Sequence, residues 1–269
     1  MNVNQQTFSL PQELAAAVEA ALDNWDAEDR VRRLWARDAS LWTNGEEGKW
    51  LGWLSIVDEQ QRSIRRFPNF ALEIKDTGFS KVLLLGMGGS SLCPEVMSKS
   101  FGKIEGFPEL HVLDSTDPAQ IRTLENKIDL ANTLFIVSSK SGATLEPNIF
   151  KQYFFERVKQ VVGHDEVGNR FIAITDPGSK LREEAEADRF RKIFLGVPGI
   201  GGRYSALSDF GLAPAGQWEL TSRSFWIEHA SRISKGGTRL PSSLRPAFTI
   251  SERGLSNCWQ SRRERTARV

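Results

Sequence analysis

Lys81-Val82-Leu83-Leu84-Leu85-Gly86-Met87-Gly88-Gly89-Ser90-Ser91-Leu92-Cys93-Pro94 runs from an unbroken apolar stretch, through a glycine- and serine-rich turn, into the start of a helix. An apolar run without alternation marks a strand buried on both faces, which is the signature of a parallel sheet. The pattern recurs downstream. Leu110-His111-Val112-Leu113, Thr133-Leu134-Phe135-Ile136-Val137, Arg170-Phe171-Ile172-Ala173-Ile174 and Lys192-Ile193-Phe194-Leu195 are further β-rich runs. Helical stretches are expected between them, near Pro94 to Phe101, Pro118 to Lys127, Leu145 to Val162 and Ser179 to Ala187. Strand and helix alternating in this way predict an α/β, three-layer αβα sandwich around a five-stranded parallel sheet. Ligands in such sheets bind beyond the carboxyl ends of the strands, so the segments after each strand are where chemistry is sought.

On both sides of this stretch the chain changes character. Residues 1–75 are expected to form a helical segment. Leu10-Pro11-Gln12-Glu13 starts a helix with proline in its first turn, and Leu14, Val18, Leu22 and Trp25 follow at helical spacing. Further stripes begin at Val31, Leu34 and Trp35 and at Trp50, Leu51, Trp53, Leu54, Ile56 and Val57. The tryptophans of this segment fit either an aromatic ligand platform or helices packed on a neighbouring domain. Amphipathic spacing favours packing. Residues 76–215 carry the strand–helix alternation. Residues 216–269 are rich in Ser and Arg and keep neither a 3.6- nor a 2-residue period. A disordered or loosely packed tail is expected there.

Composition narrows the function classes. The chain has 269 residues, enough for a substantial core, with 35 basic and 34 acidic residues. That balance gives no polyelectrolyte signal for nucleic acid, and the arginines of the tail lack an organised aromatic or helical pattern. No apolar run approaches the roughly 20 residues of a membrane helix, and the N-terminus lacks a secretory pattern. Cys93 and Cys258 provide neither a disulfide framework nor a zinc site. A cytoplasmic location, no membrane partner, no cofactor and no metal are expected.

Three strand ends carry candidate site residues. Gly86-Met87-Gly88-Gly89-Ser90-Ser91 lets the backbone approach an anion at a helix N-terminus. It is neither the dinucleotide fingerprint nor a phosphate loop with Gly-Lys-Ser/Thr, and a tight strand-to-helix turn would use the same glycines. Ser138-Ser139-Lys140-Ser141-Gly142-Ala143-Thr144 sets four hydroxyls and a lysine before a long helix. Thr144 alone could cap that helix, but capping needs neither the lysine nor the other hydroxyls. Gly199-Ile200-Gly201-Gly202-Arg203-Tyr204-Ser205 presents an arginine in a glycine-rich turn, suited to a small anion, to developing negative charge or to a surface ion pair. Asp176-Pro177-Gly178-Ser179 reads as a turn and N-cap first.

Taken in order, these loops resemble the glucose-6-phosphate isomerase family over about residues 75–215. Gly86-Met87-Gly88-Gly89-Ser90 is similar to its first phosphosugar loop, Ser139-Lys140-Ser141-Gly142-Ala143-Thr144 to its phosphate segment, and Gly201-Gly202-Arg203-Tyr204-Ser205 to its glycine-glycine-arginine signature. The tryptophan-rich leader resembles that of the isomerase half of bacterial bifunctional transaldolase/glucose-6-phosphate isomerases. The resemblance implies a sugar isomerase domain and metal-free aldose–ketose isomerisation between glucose 6-phosphate and fructose 6-phosphate. It implies that Gly89 and Ser90 contact the phosphosugar, that Ser139, Lys140, Ser141 and Thr144 hold its phosphate, and that Arg203 stabilises an enediolate-like intermediate. The family's base, a downstream glutamate, and its later histidine and lysine have no match here. His111, His164 and His229 lie outside any such motif. A shortened, incomplete form is therefore expected, with association through an exposed domain face, for instance as a homodimer. A non-catalytic phosphosugar-binding module and a nonfunctional truncated product are the alternatives.

Overall fold

The computed structural model describes residues 10–218, so the expectations for the Ser/Arg-rich tail from residue 219 onward lie outside the described residues. The elements run α1 (Gln12–Ala27), α2 (Arg30–Trp35), α3 (Ile56–Ser63), α4 (Arg66–Asp76), β1 (Lys81–Gly86), α5 (Leu92–Phe101), β2 (Glu109–Leu113), α6 (Pro118–Glu125), β3 (Thr133–Ser138), α7 (Leu145–Val162), β4 (Phe171–Thr175), α8 (Lys180–Ala187), β5 (Lys192–Leu195) and α9 (Asp209–Leu212). All strand pairs are parallel, in the order β2-β1-β3-β4-β5. The expected doubly wound sandwich is what the chain forms.

Strand residues divide by parity between two cores. Val82, Leu84, Leu134, Ile136, Ile172 and Ile174 face one side, where Phe67, Phe70 and Ile74 of α4, Met97 of α5 and Phe210 of α9 meet them. Leu83, Leu85, Phe135, Val137, Phe171 and Ala173 face the other, against Phe150, Phe154 and Val158 of α7 and Leu181 and Ala185 of α8. Phe67, Phe135, Phe154 and Phe171 are fully buried. Each is stabilised by about 1.5–3 kcal/mol through removal from water.

The helices before the sheet behave in two ways. The stretch that contains α3 and α4 enters the structure: Leu51, Ile56, Ile64, Phe67, Phe70 and Ile74 are buried. Helices α1 and α2 bury nothing. Leu14, Val18, Leu22, Trp25, Val31 and Trp35 are exposed, so the expected packing of these stripes onto a neighbouring domain is not found among the described residues. The periodicity is that of an amphipathic helix, but it specifies a face and not the surface that covers it. No described helix is long and apolar enough to cross a membrane.

Candidate functional site

Strand order reverses between β1 and β3, which is the topological switch point where open α/β sheets bind ligands. The two loops that leave these strands are joined there. Gly86 pairs with Ser138, and the Ser138 hydroxyl donates to the Ser90 carbonyl at 2.8 Å. After β1 the chain turns through Gly88, whose φ of +55° lies in the left-handed region open to glycine. A tight turn over Gly88–Ser90 buries Ser90 and Ser91 and delivers the chain to α5.

The third candidate loop closes on the first. A Cβ on Gly89 would overlap the backbone of Gly202, so glycine here is required by the contact between the two loops. The Ser205 hydroxyl donates to the Gly202 carbonyl at 2.7 Å and reaches the Gly89 carbonyl at 3.4 Å. Arg203 follows Gly202 directly, so it stands at the rim of the β1 loop. Its side chain and that of Tyr204 are exposed.

The β3 loop carries most of the hydroxyls. Ser139 donates its backbone N–H to the Ile174 carbonyl, while its Oγ is buried without a partner among the described residues. A buried hydroxyl left unpaired costs free energy, and an anion arriving at this loop would supply the missing acceptor. Ser141 is exposed and accepts the Ala143 N–H at 3.2 Å. Gly142 has φ +67°, and a Cβ there would lie 2.7 Å from the Leu181 nitrogen, which fits the loop against the start of α8. Thr144 occupies the N-cap position of α7, but its side chain makes no capping hydrogen bond. The first N–H groups of an 18-residue helix thus keep their capacity for an anion.

Lys140, expected from the sequence to help hold the phosphate, has partners within the protein. Its ammonium pairs with Asp176, donates to the Pro198 carbonyl at 3.2 Å, and lies 6.0 Å from the centre of the Trp50 ring. Residues 176–179 form the expected turn and N-cap: Ser179 caps α8 by accepting the Arg182 N–H. Trp50, from the N-terminal segment, reaches the candidate site. Nearby, Gly52 donates to the Gly199 carbonyl at 2.9 Å, and a Cβ on Gly52 would meet that same carbonyl at 2.9 Å. The sequence marked Asp176 as a strand-end turn residue but not as the partner of Lys140.

Other reactive groups lie elsewhere or are quenched. The Cys93 thiol is pushed up to about 11 by burial, so it is not a poised nucleophile. His111 sits within β2, where burial holds it below its ordinary value and keeps it neutral at pH 7. His164 follows α7 in an exposed turn. Among the described residues, no group of three or more His, Cys, Asp or Glu is arranged to hold a metal.

A doubly wound sheet whose switch point gathers glycine turns, hydroxyls and a lysine is the architecture of the sugar isomerase domains. Residues 74–223 match the phosphoglucose isomerase family, and the chain belongs to that family. A glucose-6-phosphate isomerase of Trichormus variabilis is 29% identical over 242 residues, covering 85% of this chain and 43% of that protein. One from Thermus thermophilus is 33% identical over 190 residues, covering 70% of this chain and 42% of that protein. Among solved structures, a hypothetical protein from Thermus thermophilus superposes with a TM-score of 0.62 at 30% identity, over 78% of this chain and 48% of that one. A glucose-6-phosphate isomerase from Chlamydia trachomatis superposes with a TM-score of 0.55 at 26% identity, over 76% of this chain and 39% of that one. The chain therefore spans less than half the length of these relatives.

Proposed function

We propose that this chain binds a six-carbon sugar phosphate at the β1/β3 switch point, as an isomerase-type module for glucose 6-phosphate and fructose 6-phosphate. In this reading residues 76–215 form the phosphosugar-binding unit. The phosphate is held by Ser139, Lys140, Ser141 and Thr144 at the start of α7. Gly89 and Ser90 line the sugar side, and Arg203 meets negative charge on the open-chain sugar. The observation that carries it is the buried Ser139 hydroxyl, without a partner among the described residues, in a loop whose following helix has no side-chain cap. Both features are the polar capacity that a bound phosphate would use.

A second reading is binding without catalysis. The test of the site itself is a thermal-shift titration with 6-phosphogluconate, a charged analogue of the open-chain substrate. The melting temperature of the chain should rise and saturate with ligand. The double variant Lys140→Ala/Arg203→Ala should melt cooperatively, at a lower temperature because Asp176 loses its counter-charge, and show no ligand response. A native chain indifferent to the ligand would overturn the assignment.

A further inference from the structure

We propose that Asp176 is a positioning residue for Lys140, an inference that rests on the phosphosugar reading of the site. Residues 140 and 176 come from successive strand ends and are bound to each other through backbone and side chain. The Lys140 carbonyl accepts the Asp176 N–H at 3.0 Å and lies 3.4 Å from the Thr175 hydroxyl that donates to it. The Lys140 ammonium donates to Asp176 Oδ2 and to the Pro198 carbonyl. An ammonium has three N–H donors, so these two contacts leave one for a phosphate oxygen.

The carboxylate is itself fixed in place. A Cβ on Gly196 would lie 2.6 Å from Asp176 Oδ1 and 2.5 Å from the Phe210 ring, so the absence of a side chain at 196 is what makes room for both. Oδ1 is buried with no partner among the described residues. Lys140 and Asp176 have side chains only 21% and 17% exposed. A carboxylate in this setting depends on its counter-charge, and the counter-charge is held where the carboxylate sits. The acceptor Pro198 lies in the loop that leads to Arg203, so the tether links the ammonium to that loop. A lysine loses much rotamer freedom when it engages a ligand. Restraining it beforehand moves that loss out of the binding step.

The test is a double-mutant cycle on the full chain, reading the 6-phosphogluconate dissociation constant by calorimetry for the native chain, Asp176→Asn, Lys140→Ala and the pair together. Asp176→Asn preserves shape and removes the charge. It should weaken binding roughly tenfold, as expected when a hydrogen bond to a charged group is misplaced. In the Lys140→Ala background it should add no further loss, an outcome that a merely structural role would not give. Asp176→Asn binding as tightly as the native chain, or more tightly, would overturn the inference alone, as would an additive loss in the double variant. Absence of binding by the native chain would overturn the phosphosugar reading and this inference with it. If Asp176→Asn fails to melt cooperatively, Asp176→Ser takes its place in the cycle and is read by the same outcomes.

Discussion

Asp209, at the start of α9, is 1% exposed and ties three helices together. Its Oδ1 accepts from Gln60 Nε2 at 3.0 Å and pairs with Arg66, while Oδ2 is buried without a partner among the described residues. Burial outweighs both donors and holds its carboxyl above the ordinary value. The native state therefore binds this proton more tightly than the unfolded chain does. The stabilisation from that proton is fully present below the unfolded value, about 3.9, and is lost as pH rises through the raised folded value. Asp209→Asn removes the titration and keeps an oxygen for Gln60. The native chain should accordingly lose stability relative to Asp209→Asn as pH is raised from about 4 toward 7, read from urea unfolding at several pH values. A pH-independent gap would mean that Asp209 does not titrate in this range. None of this was legible in sequence, because Gln60, Arg66 and Asp209 converge only in the fold. The same holds for Lys140, which reads as a phosphate ligand from its hydroxyl-rich neighbours but has its counter-ion 36 residues away.

Elements were legible where apolar periodicity and end signals coincide, whether or not the element is buried. β5 and α7 occupy the stretches their sequences mark, Lys192–Leu195 and Leu145–Val162, because apolar runs and end signals coincide there. β1 extends one residue further than its apolar run, to Gly86, because the pairing with Ser138 continues to that point. The helix at Gln12–Ala27 was equally plain, and its environment was not. Periodicity predicts that a helix has an apolar face but carries no record of what meets it. Since α1 buries no residue, little of the sheet's stability depends on it. Deleting residues 1–28 should shift the melting temperature by less than about 2 °C, given that 1 kcal/mol moves a domain of this size by roughly 2–4 °C. A differential scanning fluorimetry comparison at equal concentration decides this, and a larger fall would show that the apolar face of α1 is covered in solution.

At the scale of the molecule, holding a sugar phosphate and isomerising it make separate demands. The first needs convergent donors and charge, and the switch point gathers glycine turns, a buried serine hydroxyl and a tethered lysine. The second needs a base that moves a proton between adjacent carbons, a contribution typically worth about 10²–10⁴ in rate. Several groups near these loops are poorly suited to that task. Asp176 is committed to Lys140, and His111 lies mid-strand in β2. Cys93 is held protonated by its surroundings. The Arg203 guanidinium offers hydrogen-bond donors only, which suits it to the charge-stabilising role proposed and not to that of a base. Binding and turnover should therefore separate in this chain. On the proposed reading, turnover of fructose 6-phosphate in a coupled assay should fall about 10²–10⁴ below that of a full-length relative, at ligand concentrations that saturate the thermal shift. Turnover at the rate of the longer relatives would instead require a base within these 269 residues, outside the three strand-end loops. A scan of Glu219, Glu228 and Glu252, each changed to glutamine, would then be the way to find it.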